Sequence, residues 1–140
     1  MKQEIIDYLE SQHTGVLAVK MPDGSLHGAT VHFAYSLEPL ALFFLTSLSS
    51  KKAGAFGSGA CEASFVIGTD EIAMKTLQLD GTLESVPADD EKWKEAYLER
   101  YPGRKDWSES PEAMRLKFTP RWWRYSDLKD RANATIIASE

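Results

Sequence analysis

The chain contains little cysteine, little histidine and no apolar run long enough to cross a bilayer. Its three histidines lack close spacing and its cysteine is single, so we predict neither a metal site nor an internal disulfide. Cys61 has small and apolar neighbours and no adjacent basic residue, and we interpret it as a core thiol. The first residues include acids where a signal peptide would be apolar. We therefore expect a cytoplasmic protein that does not bind a membrane.

An excess of positive charge is also absent. The 140 residues include 16 Lys and Arg against 21 Asp and Glu, which gives a formal net charge of −5. This balance is not that of a nucleic-acid binder that relies on bulk positive charge, and we expect no nucleic-acid partner. Any anion must then be bound by a local group of side chains. The length, without a linker or repeat, predicts one domain over residues 1–140.

Short apolar stretches separated by turns predict a mainly β protein. An amphipathic helix is expected over 2–11, and strands are expected over 15–20, 26–35, 40–46, 60–68, 74–86 and 114–125. A short helix over 50–56 should be closed by Gly57-Ser58-Gly59, and another should start in the acidic stretch Pro87-Ala88-Asp89-Asp90-Glu91 and end before Pro102. Pro120 must lie at an edge or bulge, because it cannot donate to a strand ladder. Six strands in hairpin-like succession favour an antiparallel barrel over a parallel sheet.

The third predicted strand leads into Thr46-Ser47-Leu48-Ser49-Ser50-Lys51-Lys52, a turn rich in hydroxyl groups and followed by a short helix. Hydroxyl groups, the first amides of a helix and two ammonium groups together form a common phosphate site. Serines before a helix are also ordinary N-caps, and paired lysines are usually solvated. Taken alone, the local pattern favours capping over ligand binding.

Four segments resemble a known family in their order and spacing. They are Thr46 with Ser50 and Lys52, the strand segment Ala29-Thr30-Val31-His32, the segment from Lys75 to Gly81, and Phe118-Thr119-Pro120-Arg121-Trp122-Trp123. The chain is similar over nearly its whole length to the FMN-binding split-barrel family related to pyridoxamine 5′-phosphate oxidase. The resemblance is greatest to the general stress protein branch of that family.

The resemblance implies a six-stranded antiparallel split barrel with short helices that binds FMN as a homodimer, with the flavin sites at the interface. It also implies contacts to the phosphate from the hydroxyl and lysine turn, to the ring from the second and fifth strands, and to the partner's flavin from the last strand. The cofactor-binding positions implied in this way are Thr30, Val31, His32, Thr46, Ser47, Ser50, Lys51, Lys52, Lys75, Gln78 and Trp122.

Several of these residues also have a simpler interpretation. Lys75 is typical of a solvated strand end, and Thr30 and Gln78 could simply fill outward strand positions. His32 fits a core or cleft histidine as well as one that contacts the ring. For Trp122 we prefer packing at an interface, with flavin contact second.

The chain departs from the authentic oxidase at three places. Thr30 stands about where the oxidase has an arginine for the cofactor phosphate, and Thr76 replaces a glutamine. Residues 126–131 lack the basic, histidine-containing motif of the oxidase. We therefore expect a flavin-dependent oxidoreductase with another small substrate or electron donor. The alternatives are a non-catalytic carrier or sensor of flavin, deazaflavin or haem, and a purely structural dimer that has lost its ligand.

Overall fold

A curled antiparallel sheet forms the body of the protein. A computed structural model of the chain describes residues 1–56, 59–68 and 70–140. The strands are β1 (Thr14–Lys20), β2 (Leu26–His32), β3 (Ala34–Leu37), β4 (Leu40–Ser47), β5 (Ala60–Ile67), β6 (Lys75–Val86), β7 (Ala113–Asp127) and β8 (Thr135–Ala138). The helices are α1 (Gln3–Ser11), α2 (Glu91–Trp93), which continues as a π-helix over Lys94–Leu98, and α3 (Lys105–Ser108). Short 3₁₀ turns cover Lys51–Phe56, Pro102–Arg104 and Arg131–Asn133.

The two outermost strands of the sheet are consecutive in the chain. The strand order is β2-β1-β5-β6-β7-β4-β3, and β8 pairs with β7 beside this path. Phe33 alone separates β2 from β3, and the chain changes partner there, from β1 to β4. The sheet therefore curls into a barrel whose edges are joined at Phe33. The β3–β4 ladder begins at Ala34 opposite Phe43, so the rest of β4 and the free edge of β2 border an opening.

The predicted fold class, an antiparallel split barrel with short helices, is confirmed. The described residues form eight strands, two more than predicted, because the stretch predicted as one strand over 26–35 is divided at Phe33 and because β8 follows the last predicted strand. The first hairpin joins β1 and β2 as expected, with Lys20 opposite Leu26. The expected helix end at Gly57-Ser58-Gly59 falls partly on residues 57 and 58, which lie outside the described residues.

The core lies inside the barrel and follows the alternation of the strands. In β6, Leu77, Leu79 and Leu83 are buried, whereas Gln78 and Asp80 are exposed. Apolar residues from the other strands and from α1 complete the same cluster, including Leu17, Val19, Phe33, Phe44, Phe65, Leu116, Phe118, Ile5 and Leu9. This packing fixes the opposite face of each strand toward the outside of the barrel.

The β6–β7 ladder contains the bulge expected at Pro120. The register shifts between Asp80 and Gly81, and Pro120 pairs with Gly81. A Cβ atom on Gly81 would lie 2.1 Å from the carbonyl oxygen of Thr119. Glycine is therefore required at this position by the close approach of the neighbouring strand.

The α2 segment covers the outside of the sheet and begins at Glu91, at the end of the stretch 87–91 in which the sequence predicts a helix start. The side chain of Asp90 accepts a hydrogen bond of 2.9 Å from the amide of Trp93. The Trp93 indole is buried, stacks on Tyr97 at a centroid distance of 4.8 Å and donates to the carbonyl of Phe44 at 3.0 Å. No helix within the described ranges is both long and apolar enough to span a membrane.

Candidate functional site

The hydroxyl-rich turn lies where β4 leaves the barrel. Thr46 is buried, and its hydroxyl donates to the hydroxyl of Ser50 at 3.2 Å. Ser47 serves the turn itself, because its hydroxyl accepts a bond from the Ser49 amide at 3.1 Å. The amide of Ser50 donates to the carbonyl of Ser47 at 3.0 Å. Local turn bonding therefore uses Ser47, whereas the Thr46 and Ser50 hydroxyls form a separate polar pair.

The two neighbouring lysines of the turn differ sharply in burial. Lys51 is exposed, whereas Lys52 is only 8 % exposed. Within the described part of the chain, the Lys52 ammonium has no hydrogen-bond or ion-pair partner. Burial lowers the pKa of Lys52. Because most of the side chain is buried and the described residues give it no counter-charge, an anion bound here would interact favourably with the ammonium.

Three of the predicted ring-contacting residues share the outer face of the barrel. The register runs from Thr30 through Val16 and Val66 to Gln78, which places Thr30 and Gln78 in one row across four strands. At about 4.8 Å per strand, their backbones are roughly 14 Å apart. Trp122 lies opposite Asp80, in the next row on the same face. All three side chains are exposed.

Val31 and Lys75 lie on the other face of their strands. Val31 is partly buried and packs against the barrel core. Lys75 follows the alternation of the buried Leu77 and Leu79, and its strand partner is Asp127. The structure therefore does not bring these two residues together with Gln78 on the outer face.

His32 lies at the end of β2, on the face that carries Thr30. Its ring is exposed and meets the Tyr101 ring edge-on at a centroid distance of 5.8 Å. The pKa of His32 is lowered mainly by partial burial and, to a smaller extent, by the nearby Arg104 and His13. The histidine thus belongs to a surface cluster of basic and aromatic residues.

Two residues that the sequence interpretation missed hold the junction between β2 and β3. Arg100 donates to the carbonyls of Phe33 at 3.1 Å, Leu9 at 3.3 Å, Glu10 at 3.0 Å and Gln12. The Tyr101 hydroxyl also donates to the Phe33 carbonyl, at 2.8 Å. Both residues position the strand that carries Thr30 and His32. No local sequence pattern identifies them, because their partners are main-chain carbonyls as far as 91 positions away.

A groove connects the 3₁₀ turn to the outer face. One cavity of about 530 Å³ is lined by Ala55 of the turn and by Lys20, Met21, Pro22, Ala60, Cys61 and Glu62. A second cavity of about 360 Å³ on the outer face shares Lys20 and Glu62 with it and extends to Asp80 and Arg121. Cys61 is half-buried and burial raises the pKa of its thiol, which disfavours the reactive thiolate.

Comparison with known proteins finds one matching family model and several solved structures with a similar fold. The family model described as pyridoxamine 5′-phosphate oxidase matches residues 1–127. No curated protein matches the chain.

Three solved structures illustrate the likeness of fold. A haem-binding protein from Mycobacterium smegmatis has a TM-score of 0.72 at 13% identity, covering 98% of this chain, which spans only 59% of that protein. The haem storage protein HutZ from Vibrio cholerae has a TM-score of 0.68 and 20% identity, and the match covers 86% of this chain and 89% of HutZ. A protein from Clostridium acetobutylicum related to general stress protein 26 has a TM-score of 0.70 and 16% identity, and the match covers 98% of this chain and 92% of that protein.

Proposed function

The chain belongs to the pyridoxamine 5′-phosphate oxidase family, and from that premise we propose that it is a homodimeric FMN-binding protein. In this proposal the flavin transfers electrons between a small-molecule donor and acceptor. The turn that follows β4 anchors the phosphate, and the outer face of the sheet contacts the ring.

The observation that carries the proposal is the largely buried side chain of Lys52, which has no ion-pair partner among the described residues and belongs to the same turn as the Thr46 and Ser50 hydroxyls. Charge-assisted bonds to phosphate are stronger than neutral ones, and they gain further where water is excluded. Lys52 would supply the charge, and the two hydroxyls would donate to phosphate oxygens. The exposed Lys51 would add only a screened interaction.

The redox chemistry would come from the isoalloxazine ring, and the protein would bind and orient it. The Gln78 amide and the Thr30 hydroxyl are donors of the kind that can hold the polar edge of the ring. The aromatic side chain of Trp122, 36 % exposed, could pack against the flavin or against a partner subunit. Such a site needs no acid–base pair of side chains.

The outer face also supports the proposed dimer. Leu26 is 76 % exposed, Val16 and Val66 are each 37 % exposed, and all three lie on this face around β2. Within the described residues β2 pairs only with β1, so one edge of the sheet is available next to an apolar surface. Open edges and apolar patches are features that proteins usually cover. A second copy of the chain would cover both.

The second candidate is a non-catalytic haem carrier. It is favoured by the names of two structures with the same fold, a haem-binding protein and a haem storage protein. Haem iron takes histidine or tyrosine as an axial ligand, and His13, His32 and Tyr101 lie together at the surface.

Absorbance spectroscopy distinguishes the two candidates. The purified protein is incubated with FMN or with haemin, freed of unbound ligand by gel filtration, and scanned. We expect the flavin absorbance to correspond to about one retained FMN per chain, and we expect FMN to raise the melting temperature. With haemin we expect no stable complex and hence no shifted Soret band. Retention of haemin with a shifted Soret band, and no retention of FMN, would favour the carrier. Retention of neither would overturn both candidates.

A further inference from the structure

A groove runs between the helical segment that begins with α2 and the hairpin of β3 and β4. Both faces of β4 carry buried residues, because Leu42 and Phe44 belong to the barrel core, whereas Ala41 and Phe43 pack in a second cluster with Trp93. A cavity of about 270 Å³, lined in part by Ala41 and Phe43, lies beside this second cluster. The helical segment therefore leaves room for a ligand against the outside of β4.

A second cavity, of about 360 Å³, continues from the first. The two share four lining residues, Tyr35, Glu95, Ala96 and Glu99, and so form one groove, which we call the helix groove. Ala96 belongs to the π-helix over Lys94–Leu98, and π-helical turns are frequent at functional sites. The dimensions suit a ligand of the size of a small metabolite.

The floor of the helix groove is apolar and one of its sides is aromatic. Pro39, Ala41 and Phe43 line the first cavity, and Tyr35 lines both. The Tyr35 hydroxyl is already engaged, since it donates to the Glu10 carboxylate at 2.5 Å, and this leaves the ring as a contact surface. A ligand that fills the groove therefore needs an apolar body.

Charged side chains of both signs line the helix groove, and they are distributed unevenly along it. Lys92 and Lys117 line the first cavity only, whereas Glu95 and Glu99 line both cavities. Glu38 adds a third carboxylate at the first cavity. Within the described residues none of these five side chains is in an ion pair. The groove thus offers two cations at one end and two carboxylates that extend to the other.

The other two charged residues of the second cavity have partners within the protein. Arg100 donates to main-chain carbonyls, and the Glu10 carboxylate accepts the bond from Tyr35. Glu95 and Glu99 are four positions apart on one helical segment, a spacing at which like charges repel. An ammonium group bound beside the two carboxylates would reduce that repulsion.

We propose that the helix groove binds a small zwitterion with an aromatic body, of the chemical class of the α-amino acids. Its ammonium group lies against Glu95 and Glu99, its carboxylate against Lys92 and Lys117, and its side chain over Phe43. A ligand with only a negative charge would meet the carboxylates of the groove unpaired, and one with only a positive charge would meet the lysines.

This site is separate from the proposed flavin site. None of the residues that line the helix groove belongs to the turn that follows β4 or to the row of Thr30 and Gln78. Ligand binding in the groove can therefore be measured on the full chain whether or not FMN is bound.

The probe is L-phenylalanine, titrated into the isotope-labelled full chain and followed by amide chemical shifts. Phenethylamine, which lacks the carboxylate, and hydrocinnamate, which lacks the ammonium group, are matched controls. We expect L-phenylalanine to shift the amides over 35–43 and 92–99 and to bind roughly 10-fold more tightly than either analogue, because each analogue lacks one charge-assisted bond. Equal affinity for an analogue, or no shifts in these two segments up to the solubility of the amino acid, would overturn the proposal.

A pair of variants tests the position of the carboxylate. Lys117→Met removes a cation of the groove, and Lys94→Met removes one from the same helical segment that lines neither cavity. We expect Lys117→Met to weaken L-phenylalanine binding roughly 10-fold without changing the affinity for phenethylamine, and Lys94→Met to bind both as the wild type does. Unchanged affinity in Lys117→Met, or equal weakening by the two variants, would contradict the site.

Discussion

At the scale of single residues, burial separates side chains that the sequence presents as equivalent. Lys51 and Lys52 are adjacent and chemically identical, yet only Lys52 is buried. The two adjacent lysines predict a basic turn, but not which of the side chains is buried, since that depends on how the 3₁₀ turn packs against β1 and β5. The candidate phosphate anchor is therefore more sharply defined by the fold than by the sequence.

Gly81 is a second residue with a specific role, and its replacement gives a stability prediction. Because a Cβ atom would lie 2.1 Å from the Thr119 carbonyl oxygen, Gly81→Ala must displace backbone at the bulge. We expect a loss of about 1 to 3 kcal/mol in the free energy of unfolding, measured by urea titration.

The matched control is Gly28→Ala, also in a strand. Its added Cβ would have its nearest contact at 3.8 Å, an ordinary van der Waals distance. We expect a change within about 0.5 kcal/mol for this variant. Equal destabilisation by the two alanines would show that strand propensity, and not the close approach at the bulge, governs the effect.

At the scale of elements, local signals predict most of the structure. The helical spacing of Ile5 and Leu9 marks α1, the alternation in β6 marks its buried face, and Pro120 marks a bulge. The division of the stretch over 26–35 has no such signal. It arises because residues 26–32 pair with β1 whereas residues 34–37 pair with β4, and this change of partner depends on tertiary packing.

At the candidate site, the direction of each side chain also depends on the fold. The predicted residues Thr30, Gln78 and Trp122 share the outer face, as strand alternation and register require. Val31 and Lys75 belong to the opposite face, which strand alternation from Thr30 and Gln78 already requires. Arg100 and Tyr101 act on distant carbonyls, so only the folded chain reveals them.

At the scale of the whole molecule, the outer face of the barrel carries an apolar patch of Leu26, Val16 and Val66 next to the edge strand β2. If this face is the dimer interface, Leu26→Lys should shift the protein from dimer to monomer. A charge at a buried apolar contact costs several kcal/mol, enough to dissociate a dimer at micromolar concentration. Sedimentation velocity over a range of concentrations measures the shift.

The control for this prediction is Ile72→Lys, which changes a residue of almost equal exposure on the turn before β6. Leu26 is 76 % exposed and Ile72 is 78 % exposed. We expect Ile72→Lys to sediment as the wild type does. A wild type that sediments as a monomer at all concentrations would contradict the dimer, and dissociation by Ile72→Lys alone would place the interface elsewhere.

If Lys52 anchors a phosphate, titrations of FMN and riboflavin into Lys52→Met and Lys51→Met should separate the two lysines. Methionine keeps most of the length of the unbranched side chain and removes its charge. We predict that Lys52→Met weakens FMN binding roughly 10- to 100-fold, since it removes a charge-assisted bond. Its affinity for riboflavin, which has no phosphate, should not change, and Lys51→Met should bind FMN nearly as the wild type does. Equal FMN affinity in Lys52→Met and the wild type would show that Lys52 does not bind the phosphate.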